Sequence, residues 1–84
     1  MTDIRYIIIG RSSCNFCLHA VDFCKASEID YIFLDYANQL NILEEKKSFY
    51  NHETVPIILF NDLATGLTKK IGGYSDLIER HKDG

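Results

Sequence analysis

Proline, excess charge and long apolar runs are all scarce in this sequence, and cysteine comes in an odd number. Proline occurs once, at Pro56, so no proline-rich spacer divides the chain, and no repeat or low-complexity stretch does either. The 84 residues leave room for one hydrophobic core, and residues 1–84 read as a single domain. Nine Lys and Arg stand against twelve Asp and Glu, a net charge of −3. That balance offers no positive surface for phosphates, so no nucleic-acid partner is expected. The longest aliphatic run, Ile7-Ile8-Ile9, is too short for a bilayer span or a signal core, and no membrane role is expected. Three cysteines cannot all pair, whereas a secreted disulfide scaffold usually carries four or more. An intracellular, cytoplasmic setting follows as the expectation. No oligomerisation motif is present, so a monomer is the default. Hydrophobic residues at 46% and charged residues at 25% are those of a folded domain rather than a disordered chain.

What is present alternates between strand and helix patterns. Ile4 to Ile9 is nearly continuous in β-branched residues and reads as a strand buried on both faces. Gly10, Arg11, Ser12 and Ser13 end it. A helix is expected from about Cys14, with Ser13 or Ser12 as N-cap. Cys17, Ala20, Val21 and Cys24 would form its inner face, with His19, Asp22 and Lys25 towards water. Tyr31 to Leu34 reads as a second strand with Asp35 at its exit. Asn38 to about Tyr50 reads as a second helix, Leu40 and Leu43 marking its apolar side. Glu44 and Glu45 precede Lys46 and Lys47, the order the helix dipole favours. Pro56 to Phe60 reads as a third strand, Asn61 to Thr68 as a polar turn, Lys69 to Ile71 as a short fourth strand, and Tyr74 to His81 as a last helix after Gly72-Gly73. The order β-α-β-α-β-β-α begins with a βαβ unit, hence parallel strands and a right-handed crossover, and ends in an antiparallel pair. An α/β fold with a four-stranded mixed sheet flanked by helices is expected.

Cys14-Asn15-Phe16-Cys17 has the C-x-x-C spacing, which serves half a zinc site, an iron–sulfur ligand pair or a reversible disulfide. Its position argues for the last. Cys14 falls where a strand hands over to a helix, where free N–H groups and the positive end of the dipole stabilise a thiolate. Arg11 adds a cation three residues upstream. Both lower a thiol pKa, and the thiolate is the attacking species. Cys17, one turn further, is near enough to close a ring with Cys14. Two buried small hydrophobes are the plainer alternative. A zinc site drawn from Cys14, Cys17, His19 and Cys24 is not expected. Cys24 lies about 10 Å further along the helix axis than Cys17, and His19 points about 200° away from it. Cys24 reads as a core residue. His52 and His81 have no visible partner.

The chain resembles a glutaredoxin, of the thioredoxin-like fold and the dithiol type, from about Ile4 to Arg80. Three motifs in order carry the resemblance: Arg11-Ser-Ser-Cys14-Asn-Phe-Cys17, Thr54-Val55-Pro56, and Gly72-Gly73-Tyr74-Ser75-Asp76-Leu77. It implies a small thiol–disulfide oxidoreductase in which Cys14 is the nucleophile, Cys17 the resolving thiol and glutathione the electron donor. Disulfide-containing or glutathionylated proteins, ribonucleotide reductase among them, would be its substrates. Arg11 would meet a glutathione carboxylate, or else be a solvated loop charge. Phe16 would line the glutathione groove half-exposed, or fold into the surface. Thr54-Val55-Pro56 would form a cis-proline loop whose Val55 backbone pairs with the extended tripeptide. Gly73 would allow close approach, and the N–H groups of Tyr74 and Ser75 would take the γ-glutamyl carboxylate. Asp76 would accept from the ligand's ammonium. Tyr74 would give its backbone alone, its ring packing elsewhere.

Three features depart from the family pattern. Asn15 stands where dithiol members commonly have proline, which restores an N–H at the helix start and removes a rigid ring. The turn from Asn61 to Thr68 is longer than the usual tight hairpin, and the last helix is short. Some relatives without that proline hold a [2Fe–2S] cluster between two subunits with glutathione, so a cluster-binding dimer is one alternative. A redoxin reduced by a thioredoxin-type reductase is another. No metal site within the chain is expected.

Overall fold

Branched aliphatic residues place β1 (Ile4–Gly10) in the interior of a four-stranded sheet of order β2-β1-β3-β4. The computed structural model describes residues 3–82. Along the chain follow α1 (Asn15–Ala26), β2 (Tyr31–Asp35), α2 (Leu40–Phe49), β3 (Ile57–Asp62), β4 (Thr68–Gly72) and α3 (Tyr74–Arg80). β1 runs parallel to β2, from Tyr6 opposite Tyr31 to Gly10 opposite Asp35. It runs antiparallel to β3, with Ile8 opposite Ile58. β3 and β4 are antiparallel, and their register skips Ile71, a bulge that bends the edge strand. This is the expected α/β architecture with a mixed sheet. Among the described residues no helix is long and apolar enough to cross a membrane.

Period-two alternation divides the sheet's side chains between two cores. Tyr6, Ile8 and Ile58 pack with Ala20, Val21 and Cys24 of α1 and Leu77 of α3. Ile9, Ile57 and Leu59 point the other way, onto Leu43 of α2. Each such aliphatic side chain, once buried, contributes roughly 1.5–3 kcal/mol. The inner face of α1 is the expected one: Cys17, Ala20, Val21 and Cys24 are its buried residues. His19, Asp22 and Lys25 are exposed.

Several boundaries differ from the sequence reading. The start of β1 is not buried on both faces: Ile4, Arg5 and Ile7 are half-buried. Arg5 sits there because its Nε donates to Asn61 Oδ1 at 2.9 Å. α2 begins at Leu40 with Gln39 as N-cap, not at Asn38. Leu40, in its first turn, is 52% exposed, so Leu43 alone anchors the helix's buried face. β3 starts one residue after Pro56 and runs to Asp62, taking in two residues read as turn. They stay in the strand because their side chains bind locally. Asn61 Nδ2 donates to Leu67 O at 3.3 Å and Thr68 Oγ1 at 3.1 Å. Asp62 Oδ1 accepts from the N–H groups of Ala64 and Thr65, an Asx turn. The connection shrinks to residues 63–67, with Gly66 at φ 79°, so the hairpin is tighter than the sequence suggested.

α1 and α2 both end in Schellman motifs whose left-handed residue is not glycine. Glu28 has φ 56° and Asn51 φ 52°. Ile29 N–H donates to Cys24 O and Glu28 N–H to Lys25 O; His52 N–H donates to Lys47 O and Asn51 N–H to Ser48 O. These pairs are the six-to-one and five-to-two bonds that close a helix and reverse the chain. The second reversal delivers the segment 52–56 to the end of the sheet where Cys14 lies.

Candidate functional site

Cys14 is the N-cap of α1 (φ −99°, ψ 120°), a place the sequence reading gave to Ser12 or Ser13. Its carbonyl accepts from Cys17 N–H at 3.1 Å and Leu18 N–H at 3.2 Å. The backbone alone makes these bonds; the Cys14 side chain makes no cap hydrogen bond. Ser12 is drawn away by Asp35, whose Oδ1 accepts from the N–H groups of Ser12 at 2.9 Å and Ala37 at 3.0 Å. Those donors hold the Asp35 carboxyl below the usual carboxylate range. They also tie the loop before Cys14 to the end of β2.

The thiols of the pair titrate in opposite directions. Partial burial raises the Cys14 pKa. The N–H and S–H of Cys17, the N–H of Phe16 and the charge of Arg11 outweigh it, and the pKa is lowered. Burial pushes Cys17 up to about 12, helped by the neighbouring Cys14 sulfur and opposed by the Arg11 N–H. Cys17 has no exposed surface, and its Sγ lies against the Gly10 backbone where any side chain at that position would overlap it. Gly10 was read as a strand terminator; it is also what makes room for the second sulfur. Burial alone raises Cys24 to about 11, and it belongs to the core. All three cysteines are free thiols. Among the described residues no three or more His, Cys, Asp or Glu side chains gather as a metal would need. A [2Fe–2S] cluster takes four thiolates, and only Cys14 reaches the surface here, so one chain offers it a single ligand.

Beside Cys14 runs a groove of about 450 Å³. The segment 54–56 forms one wall, with the Val55–Pro56 bond cis and Val55 O 4.0 Å from Cys14 Sγ. Gly73, Tyr74, Ser75 and Asp76 form the other, and Phe16 closes one side. Every residue proposed from sequence as a glutathione contact is therefore gathered there except Arg11, which is exposed and does not line the groove. Phe16 is 57% exposed rather than folded into the surface. Its ring is 5.9 Å from that of Tyr74, and His19 lies 6.1 and 5.8 Å from the two, an aromatic cluster at the groove's edge. The Tyr74 ring thus borders the groove and, as the sequence reading expected, also packs on the core formed by Tyr6, Ile8 and the α1 and α3 side chains.

Asp76 is partly committed, because its Oδ2 accepts from Gly73 N–H at 2.8 Å, as in half of a capping box. Gly72, at φ 136°, lies so close to this carboxylate that a side chain there would collide with it. A larger depression of about 570 Å³ lies along β4 and α3. It is lined by Lys69, Lys70, Glu79 and Arg80 and contains no thiol, so the smaller groove is the one with chemistry beside it.

Two histidines without an apparent role in the sequence have one in the fold. His52 lines the groove. Its place two residues before Thr54-Val55-Pro56 was the only signal available. His81 receives or donates a 2.8 Å hydrogen bond with Tyr6 OH, and its ring lies 5.3 Å from that of Phe23, tilted by 54°. Burial, opposed by Arg80 nearby, raises the Tyr6 pKa.

The architecture is that of the thioredoxin-like class. No family model and no curated protein matches the sequence. Among solved structures, a wheat glutaredoxin superposes with a TM-score of 0.75 at 20% identity, over 94% of this chain and 72% of that one. Glutaredoxin 1 from Francisella tularensis, in complex with cacodylate, gives 0.64 at 23% identity, over 95% and 94%. The chain shares the fold of these two glutaredoxins.

Proposed function

We propose that the protein is a glutaredoxin: a glutathione-dependent thiol–disulfide oxidoreductase working through Cys14 and Cys17. The observation that carries this reading is the Cys14 sulfur at the tip of α1, at one end of a groove walled by the cis-proline loop. The Cys14 thiolate attacks one sulfur of a protein disulfide or glutathionylated cysteine. A Cys14–substrate disulfide forms, and the other sulfur leaves as a thiolate that takes a proton from water. Cys17 then gives up its proton and attacks Cys14, forming the Cys14–Cys17 disulfide and freeing the second substrate thiol. Two glutathione molecules return both cysteines to thiols and leave as glutathione disulfide.

Burial holds the Cys17 pKa up, which leaves little Cys17 thiolate at neutral pH. Glutathione entering the groove is a second resolving thiol. The chemistry needs a reduced glutathione pool, which accords with a cytoplasmic setting. Phe16, Thr54, Val55, Pro56, Gly73, Tyr74, Ser75 and Asp76 would hold the tripeptide, and Arg11 would act on Cys14 through its charge rather than as groove wall.

A glutathione-coupled disulfide reductase assay tests the reading. Cys14→Ser should lose activity by about 10³-fold or more, because no other exposed thiolate replaces the nucleophile. Cys17→Ser should keep much of its activity on glutathione mixed disulfides. Wild-type protein reduced by a thioredoxin-type reductase but not by glutathione would refute it.

A further inference from the structure

One carboxylate oxygen joins two segments beside the thiol pair. Arg11 to Cys14 is a turn closed by Cys14 N–H, which donates to Arg11 O at 3.1 Å. Ser12 is the first corner of that turn, and its N–H donates outward to Asp35 Oδ1 at 2.9 Å. The same oxygen accepts from Ala37 N–H at 3.0 Å, an Asx turn that fixes which way the carboxylate faces. Next to Asp35, Tyr36 N–H donates to Gly10 O at 2.8 Å. The exit of β2 thus grips the chain on both sides of Arg11, at Gly10 and at Ser12. Both gripped places bear on the sulfurs. Gly10 lies against Cys17 Sγ, and Arg11 brings its charge to Cys14.

We propose that Asp35 is a positioning residue for Cys14. By accepting from the Ser12 N–H, it holds the Arg11–Cys14 turn where the Arg11 charge and the free N–H groups at the start of α1 act on the Cys14 sulfur. Asp35 does not line the groove, so it acts through that turn and not on a substrate. This deepens the thiol–disulfide reading, on which it rests. The charge of Asp35 works the other way, because a carboxylate near a thiol disfavours the thiolate. Position and charge therefore predict opposite signs. If charge alone mattered, removing it as Asp35→Asn or Asp35→Ala would lower the Cys14 pKa. If position matters, Asp35→Ala raises it, while Asp35→Asn keeps an oxygen that can accept from both N–H groups.

The rate of iodoacetamide labelling at Cys14 across pH, read by mass mapping, separates the two and needs no glutathione. Asp35→Ala should raise the midpoint of the profile. Below that midpoint, labelling should fall about three- to tenfold, the worth of one ordinary hydrogen bond. Asp35→Asn should restore labelling to within about twofold of the wild type. Asp62→Ala removes a similar Asx turn at the far end of β1 and should leave the midpoint in place, whatever it does to stability. A midpoint unmoved by Asp35→Ala, lowered by both Asp35 variants, or raised equally by Asp62→Ala would overturn the positioning role. Glutathione turnover is scored separately. A wild type that glutathione does not reduce, with the midpoint still raised by Asp35→Ala, would refute the glutathione reading and uphold the role of Asp35.

Discussion

The first turn of α1 and its third turn carry the same functional group in opposite surroundings. At the tip, Cys14 is partly exposed and its sulfur faces donors that the helix start leaves unpaired. Nearly three turns on, Cys24 is enclosed by Tyr6, Ala20, Val21 and Leu77, with nothing to stabilise a charge. Cys17 stands between them, beside the nucleophile yet sealed under β1. Reactivity here is assigned by position along one helix and not by residue type. Unpaired N–H groups at the tip outweigh desolvation, and further along there are none to do so.

The contrast breaks most visibly under alkylation. With iodoacetamide at neutral pH, Cys14 should be modified at least about 100-fold faster than Cys24, since thiolate fraction and access both favour it. Mass mapping after brief exposure checks this, and equal labelling of the two would end the comparison.

Gly10→Ala moves the intermediate case. The new methyl occupies the space of Cys17 Sγ, so the sulfur must turn away or the strand must shift. A cost of about 1–3 kcal/mol in unfolding free energy is expected from overpacking. Closure of the Cys14–Cys17 disulfide should slow more than mixed-disulfide formation at Cys14, which stopped-flow measurement of the two steps would separate.

The smallest effect belongs to Cys24→Ala. Turnover should be retained, with a stability loss of about 1 kcal/mol for one deleted core sulfur. Its pH dependence is the sharper readout. Folding raises the Cys24 pKa to about 11, so the thiol's contribution is full below the ordinary value near about 8.5 and is lost as pH rises from there through about 11. Removing Cys24 should make the alkaline fall in stability shallower over that interval, as urea titrations at stepped pH would show.

Much of this could be read before the fold was seen, where a period or a fixed offset carried the information. The steps of three, one and three from Cys17 to Cys24 mark a helix face by geometry alone, and the parallel β1–β2 and antiparallel β3–β4 pairs followed from connection lengths, while the β1–β3 pairing that joins them did not. The groove was legible only through the resemblance, which put three separated motifs at one site; taken alone, Pro56 reads as a strand start and Gly72-Gly73 as an ordinary turn. What escaped depended on contacts between segments remote in sequence. Ser12 and Ser13 are good caps by propensity, but Asp35, at the end of another strand, holds the N–H of Ser12. Asn61 and Asp62 look like turn residues until Arg5 and the hairpin's own amides take their side chains into the strand. His52 enters the groove through the Asn51 reversal, and His81 finds Tyr6 from the far end of the chain.

The skipped residue at Ile71 has a consequence for life at high concentration. β4 is an open edge, and a flat edge invites a second copy to add its own strand there. The bend at Ile71 spoils the regular spacing such pairing needs, and the exposed Lys69 and Lys70 set like charges against any approaching twin. At high concentration, edge-to-edge pairing of these chains along β4 would be opposed by three consecutive residues, Lys69, Lys70 and Ile71.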